Sequence, residues 1–198
     1  MTLDELKTRC LNCTECELCK ARTQVVFGVG NPAADILLIG EGPGENEDLQ
    51  GQPFVGRSGK LLDQFLESID LSREKNVYIA NMVKCRPPKN RDPKPEEQEA
   101  CLHWLREQFK IIRPRLVICV GRIAAQRLID KDFRVTRQHG EFIDKNGTQW
   151  KGGQIDLLID RADDVINICE IKHVSSKYVI DADYEQRLRD RACLLYTS

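Results

Sequence analysis

Nine cysteines stand among the 198 residues, and four fall in one decapeptide, CLNCTECELC, which spaces Cys10, Cys13, Cys16 and Cys19 three residues apart. Thiolates are soft ligands, and in a reducing compartment clustered cysteines hold metal rather than disulfides. Consecutive C-x2-C steps would strain one short loop to wrap a cube. The longer final gap and the proline of a ferredoxin-like run are missing too, since Lys20 follows Cys19. A split site is the more natural reading: Cys13 and Cys16 meet Cys85, at the end of an apolar run, and Cys101, in a later helical stretch. Such a set fastens three distant segments together and suits either a 4Fe-4S cluster or a structural zinc, which spacing does not separate. Cys10 and Cys19 are then spares. Cys119 and Cys169, inside apolar runs, read as small buried hydrophobes.

A second concentration of chemistry lies in LLIGEGPGENEDLQGQPFVGRSGKLLD, residues 37–63, where Gly40, Gly42, Pro43 and Gly44 are interleaved with Glu41, Glu45, Glu47 and Asp48. Glycines between a strand and a helix commonly cradle a phosphate on backbone N–H groups. Four carboxylates in eight residues would repel one, and the glycine-lysine order of a P-loop does not occur. A third concentration is the proline-rich basic loop KCRPPKNRDPK, in which Lys84, Arg86, Lys89, Arg91 and Lys94 face Asp92 alone.

The elements that must position these residues are legible from pattern. Thr2 with Glu5 makes a capping box for a helix over residues 3–9. DILLIG, NVYIAN and RLVICVG read as buried strands; SGKLLDQFLESI reads as a helix capped by Ser58, with Leu61, Leu62, Phe65, Leu66 and Ile69 on one face. A long helix starts at Pro95, and RIAAQRLI is another. GEFIDKNGTQW is a hairpin whose Asn146-Gly147 suits a type I′ turn. Strands alternating with helices predict an α/β sheet with parallel pairs, whose ligands gather at the carboxyl ends of strands, where the glycine-acid loop and Asn81 both sit. From about residue 152 the text becomes two alternating strands around an acidic turn and then a charged helix. The length fits one domain with a small appendage. Hydrophobic residues at 41% and charged residues at 31% are ordinary for a soluble protein, and a net charge of -1 means that any polyanion grip must come from local clusters. No stretch has membrane-spanning length and no signal peptide is visible, so a cytoplasmic protein is expected.

NCTEC, VVFGVGNP, GEGPGENED, GQPFVGRSGKLLD and NMVKCRPPKNRDPKPEE with its downstream cysteine resemble the family 4 uracil-DNA glycosylases, the iron-sulfur type of bacteria and archaea, from residue 1 to about residue 150. The resemblance implies a three-layer fold with a central, mostly parallel sheet and an N-terminal cysteine knuckle. It also implies a monomer, a 4Fe-4S cluster rather than zinc, and a DNA-repair reaction on uracil-containing DNA: hydrolysis of the N-glycosidic bond, leaving an abasic site. In that family the glycine-acid loop lies under a flipped-out base, its glycines admitting the flat ring and its acids facing the sugar. By the resemblance Phe54 stacks on uracil and Asn81 reads its edge, since an amide both donates and accepts. The blander alternatives are a core Phe after a turn and an Asn capping a strand. The transition state is sugar-cation-like, with charge developing on the departing base, so Glu41, Gly42 and Glu47 are the candidates for positioning water and stabilising charge. Position 42 is Gly where better-known uracil glycosylases carry an Asp; Glu47 either orients the water or is a solvated loop acid. Arg86, Lys89 and Arg91 are the candidate contacts to DNA phosphates, adding salt-sensitive affinity without sequence preference.

The chain departs from this family late. A His-Pro motif, whose histidine hydrogen-bonds the departing base, should follow the hairpin, yet His103, His139 and His173 are the only histidines and none precedes a proline. KGGQIDLLIDRADDVINICEIK stands there instead and resembles a PD-(D/E)xK nuclease-like segment of bacterial ATPases, with Asp156, Glu170 and Lys172 in the pattern's places. The last six residues, CLLYTS, are the translation of a transposon-end adaptor used in sequencing libraries. The expected organisation is therefore a truncated glycosylase domain over 1–150, a nuclease-like α+β fragment over 151–192 and adaptor-derived residues over 193–198, in a joined frame or a natural fusion. Two other functions compete: a non-catalytic iron-sulfur DNA-binding protein, and a metal-dependent nuclease acting through the tail.

Overall fold

The computed structural model describes residues 1–138 and, beyond them, the backbone of strands at 141–143, 149–151, 157–160 and 166–169. Helix α1 (Leu3–Leu11) starts at the expected capping box, with Glu5 N donating to Thr2 Oγ1 at 3.2 Å and Thr2 N donating to Glu5 Oε2 at 2.8 Å. A 3-10 turn at Glu17–Lys20 closes the cysteine knuckle. There follow β1 (Val29–Gly30), β2 (Ile36–Gly40), α2 (Glu45–Gln50), α3 (Arg57–Glu67), β3 (Val77–Asn81), a 3-10 turn at Pro88–Asn90, α4 (Pro95–Ile112), β4 (Leu116–Cys119), α5 (Arg122–Leu128) and α6 (Val135–Gln138).

The main sheet has the order β1-β3-β2-β4, with β2 parallel to both β3 and β4 and β1 antiparallel at the edge. Side chains alternate between its faces, and both faces are covered, which is why the strands read as unbroken apolar runs. Leu37, Ile39, Tyr78 and Ala80 pack on one side with Leu102, Leu105 and Ile112 of α4 and Ala124 and Ala125 of α5. Ile36, Leu38, Val77, Ile79, Leu116 and Ile118 pack on the other with Leu62 and Leu66 of α3. The result is the expected three-layer, mostly parallel α/β fold. A third cluster fastens the knuckle to this body: Leu6, Cys10, Leu18, Val25 and Phe27 meet Val83, Cys85, Cys101 and Trp104.

Two local expectations are corrected. Helix α3 is capped by Gly56, not Ser58, because the backbone is already helical at Arg57. Its buried stripe is Gly59, Leu62 and Leu66, while Leu61, Phe65 and Ile69 are exposed, since one sheet face covers a narrower arc than the apolar spacing offered. Helix α2, inside the glycine-acid loop, was not foreseen. Its signals are three acids in the first turn, which suit a helix N-terminus, and the left-handed Gly51 at its C-terminus, but it lacks an apolar stripe.

Beyond residue 138, β5 (Glu141–Ile143) and β6 (Gln149–Lys151) pair antiparallel as the expected hairpin, with Phe142 opposite Trp150. Strands β7 (Leu157–Asp160) and β8 (Ile166–Cys169) form the expected second pair. The Asn146-Gly147 turn, Asp156, Glu170, Lys172, His139, His173, the charged helix and residues 193–198 lie outside the described residues. Among those described, no helix is long and apolar enough to cross a membrane.

Candidate active site and metal centre

Parallel pairing sets Gly40 of β2 beside Asn81 of β3, at the carboxyl ends of both strands. Phe54, from the loop that follows α2, closes on the same point. A methyl group at position 40 would stand 2.5 Å from Asn81 Oδ1 and 2.7 Å from Phe54 Cζ, so glycine there is what lets amide and ring converge. Asn81 is 1% exposed, and its Oδ1 is the single buried side-chain polar atom without a hydrogen-bond partner among the described residues. An unpaired buried acceptor costs about 1–3 kcal/mol, so its retention calls for a ligand that brings a donor. An Asn that capped its own strand would have spent this oxygen on a backbone N–H.

The loop acids divide into different tasks. Asp48 is buried and accepts from Thr23 N at 3.0 Å and Gln24 N at 3.3 Å, tying the loop to the segment after the knuckle rather than facing a sugar. Glu47 Oε1 accepts from Val55 N at 2.9 Å and Gly56 N at 2.8 Å, and Oε2 accepts from Gly44 N at 3.1 Å. It is therefore neither a freely solvated acid nor an unencumbered base; it staples both ends of the loop. Glu41 is half-buried, and its carboxyl is pushed above the usual carboxylate range by burial, with Asp92 adding and Arg122 opposing. At position 42 a side chain would meet Val83 Cγ2 at 2.8 Å, so the Asp of other uracil glycosylases has no room unless Val83 moves.

Six cysteines, Cys10, Cys13, Cys16, Cys19, Cys85 and Cys101, line one pocket, together with Arg22, Lys84 and Trp104. All are free thiols. Three receive hydrogen bonds at sulfur: Cys13 from Trp104 Nε1 at 3.4 Å, Cys85 from Arg22 NH1 at 3.3 Å, and Cys101 from Lys84 N at 3.2 Å. The expected ligands Cys13, Cys16, Cys85 and Cys101 share this pocket with Cys10 and Cys19, so the pocket alone does not single out four of the six. N–H groups aimed at sulfur stabilise thiolates and tune metal centres. Among the described residues no three His, Cys, Asp or Glu side chains converge as a site for a single metal ion; the sulfurs ring a space instead. Burial pushes the Cys10 and Cys101 thiols up to about 12, so a metal centre that takes Cys101 as ligand must displace its proton as it binds.

Lys84 is corrected outright. Expected on the exposed basic loop, it is 1% exposed, and its Nζ donates to Asn81 O at 3.0 Å and Gln108 Oε1 at 2.6 Å. The core extends through Met82, Val83 and Cys85, and Lys84 is carried inside with them. Burial pushes its ammonium down to about 8, opposed by the neighbouring thiols of Cys101, Cys10 and Cys85. Of the candidate DNA contacts, Lys89 is exposed at the loop tip. Arg86 is partly engaged, its Nε donating to Asn90 Oδ1 at 2.8 Å and its NH1 lying 3.6 Å from Glu45. Arg91 forks onto Glu97 at 2.8 and 2.6 Å, which makes it first an anchor for the start of α4.

The profile of the Uracil DNA glycosylase superfamily matches residues 27–176. The type-4 uracil-DNA glycosylase of Archaeoglobus fulgidus is 50% identical over 135 residues, 67% of each chain. That of Thermotoga maritima is 45% identical over 153 residues, 77% of each chain. A type-5 uracil-DNA glycosylase of Thermus thermophilus is 36% identical over 118 residues, 52% of this chain and 53% of its own.

Proposed function

Since the chain belongs to the uracil DNA glycosylase superfamily and, within it, to the type-4 uracil-DNA glycosylases, we propose that it extrudes uracil from DNA into the pocket at Gly40, Phe54 and Asn81 and hydrolyses its N-glycosidic bond, opening base-excision repair. The observation that carries the site is the orphan Asn81 Oδ1 facing Phe54 across Gly40. Uracil N3–H supplies the missing donor, and O4 accepts from the same amide. Cytosine reverses both groups at that edge and is refused. Phe54 stacks on the ring, and Gly40 leaves the space it occupies.

Glu41 is the loop acid left to face the sugar, because Glu47 and Asp48 are spent on backbone N–H groups and Glu45 lies against Arg86. Its ionised form opposes the positive charge that develops on the sugar, and water adds at the anomeric carbon as the C–N bond breaks. Gly42 contributes backbone, with no side-chain base. Glu47 acts through the loop it holds. Phosphates on either side of the extruded nucleotide are met by Lys89 and by Arg86, with Arg91 shaping the loop that carries them.

The type-4 enzymes are an iron-sulfur family, and the donor set fits: Cys13, Cys16, Cys85 and Cys101 would hold a 4Fe-4S cluster, and three of these sulfurs, those of Cys13, Cys85 and Cys101, receive N–H groups. Such a cluster supplies a rigid cross-link between the knuckle, the end of β3 and α4; the hydrolytic step does not pass through it. We further place the protein in the cytoplasm, as a monomer.

The late His-Pro motif is missing from the sequence, which favours a second reading, an iron-sulfur protein that binds DNA without excising uracil. Incubation with end-labelled uracil-containing DNA, with and without alkali, separates the possibilities. A glycosylase yields breaks only after alkali, a nuclease acting through the tail yields them without it, and a binder yields none.

A further inference from the structure

Phe54 adopts φ 53, in the left-handed region that a bulky aromatic residue rarely occupies. Backbone strain of this kind persists only where the surroundings over-determine it. Here they do, from three directions. Arg73, in the connection from α3 to β3, donates from NH1 to Pro53 O at 3.0 Å and from NH2 to Phe54 O at 3.0 Å. The same guanidinium is held by Asp63 of α3, whose Oδ1 accepts from Nε at 3.0 Å and NH2 at 2.6 Å. On the other side of Phe54, Glu47 takes the N–H groups of Val55 and Gly56. Beneath it, Gly59 has no side chain; a methyl group there would stand 1.9 Å from Phe54 O.

We propose that Arg73, anchored by Asp63, is a positioning residue for base recognition: by fixing the two carbonyls at Phe54 it sets the left-handed turn that aims the ring at Gly40 and Asn81. The inference rests on the reading of Phe54 as the stacking residue. Arg73 touches no substrate; it acts through the ring. A lysine cannot replace it, because one ammonium does not reach two successive carbonyls and a carboxylate in a planar fork.

The test compares the affinity of the full chain for two duplexes, one carrying 2′-fluoro-deoxyuridine, whose glycosidic bond resists cleavage, and one carrying a tetrahydrofuran abasic analogue at the same place. Their ratio reports what the base contributes. Stacking of a base on an aromatic ring is worth about 1–3 kcal/mol, so Phe54→Ala should lower the ratio about tenfold or more. Arg73→Met and Arg73→Lys should each lower it several-fold with affinity for the abasic duplex unchanged. In the Phe54→Ala background, Arg73→Met should lower it no further. Should Arg73→Met fail to fold, Asp63→Asn carries the same cycle with a smaller loss. Equal weakening toward both duplexes, or the same fold-loss with and without the ring, would overturn the proposal and leave Arg73 a general stabiliser. A wild-type chain with no preference for the uracil duplex would instead overturn the reading of the pocket, and this inference with it.

Discussion

At the scale of single residues, the proposed reading gives the buried amide oxygen of Asn81 the choice of base, so changing its chemistry should change that choice. Asn81→Asp replaces the donor toward uracil O4 by an acceptor, so discrimination between uracil and cytosine should relax or invert; selectivity unchanged in excision or binding assays would remove Asn81 from the pocket. A second residue-scale consequence concerns acid. The guanidinium of Arg91 and the N–H of Lys94, at 2.8 Å, hold the Glu97 carboxyl below the usual carboxylate range against the cost of its burial. A depressed folded-state pKa stabilises the fold above the ordinary value of about 4.3 and loses that contribution as pH falls through the depressed one. Glu97→Gln should therefore unfold at a lower temperature than the parent at neutral pH, with the gap closing as the pH drops below 4.3. Thermal melts across that range decide it; a gap constant with pH would mean that the pair contributes no linked stability. The roles of Asp48, Lys84 and Arg73 were not legible in the sequence, because each is defined by a partner far along the chain: 25 residues from Asp48 to Thr23, 24 from Lys84 to Gln108, 19 from Arg73 to Phe54. A charge in a loop declares its sign but not the direction in which it points.

At the scale of elements, the strands were legible because a run buried on both faces announces itself by continuous apolarity, and β2, β3 and β4 fall within the runs read from sequence. The helix facing the sheet was legible in existence but not in orientation, since Leu61 and Phe65 fit the same spacing as Leu62 and Leu66. The cysteine elements were legible as a group, and the structure adds N–H groups aimed at the sulfurs of three of the expected ligands, Cys13, Cys85 and Cys101. Trp104 reaches Cys13 from α4, and Arg22 reaches Cys85 from beyond the knuckle. Cys13→Ala, Cys16→Ala, Cys85→Ala or Cys101→Ala should each bleach the brown colour of anaerobically purified protein and release its iron and sulfide, whereas Cys10→Ala and Cys19→Ala should leave the spectrum intact. A colourless protein that carries zinc would reject iron while keeping the four ligands. A spectrum lost on changing Cys10 would reject the ligand set itself.

At the scale of the whole molecule, the residues of the proposed pocket all lie before residue 100, while the group that should stabilise the departing base belongs to a later segment. Uracil leaves as an anion, and removing one well-placed donor from such charge typically slows a reaction by about a hundredfold to a thousandfold. No histidine in the chain precedes a proline, although the superfamily match continues to residue 176, past the break proposed near residue 150. The chain as written should therefore bind uracil-containing DNA better than it excises uracil. Replacing everything after Trp150 with a segment that carries the His-Pro motif should raise single-turnover excision by about that hundredfold to thousandfold. Asp156→Ala and Glu170→Ala should change neither excision nor strand integrity. Robust excision by the unaltered chain, measured at saturating enzyme, would show that the loop from Glu41 to Glu47 stabilises the leaving group unaided, and the need for a late donor would fall.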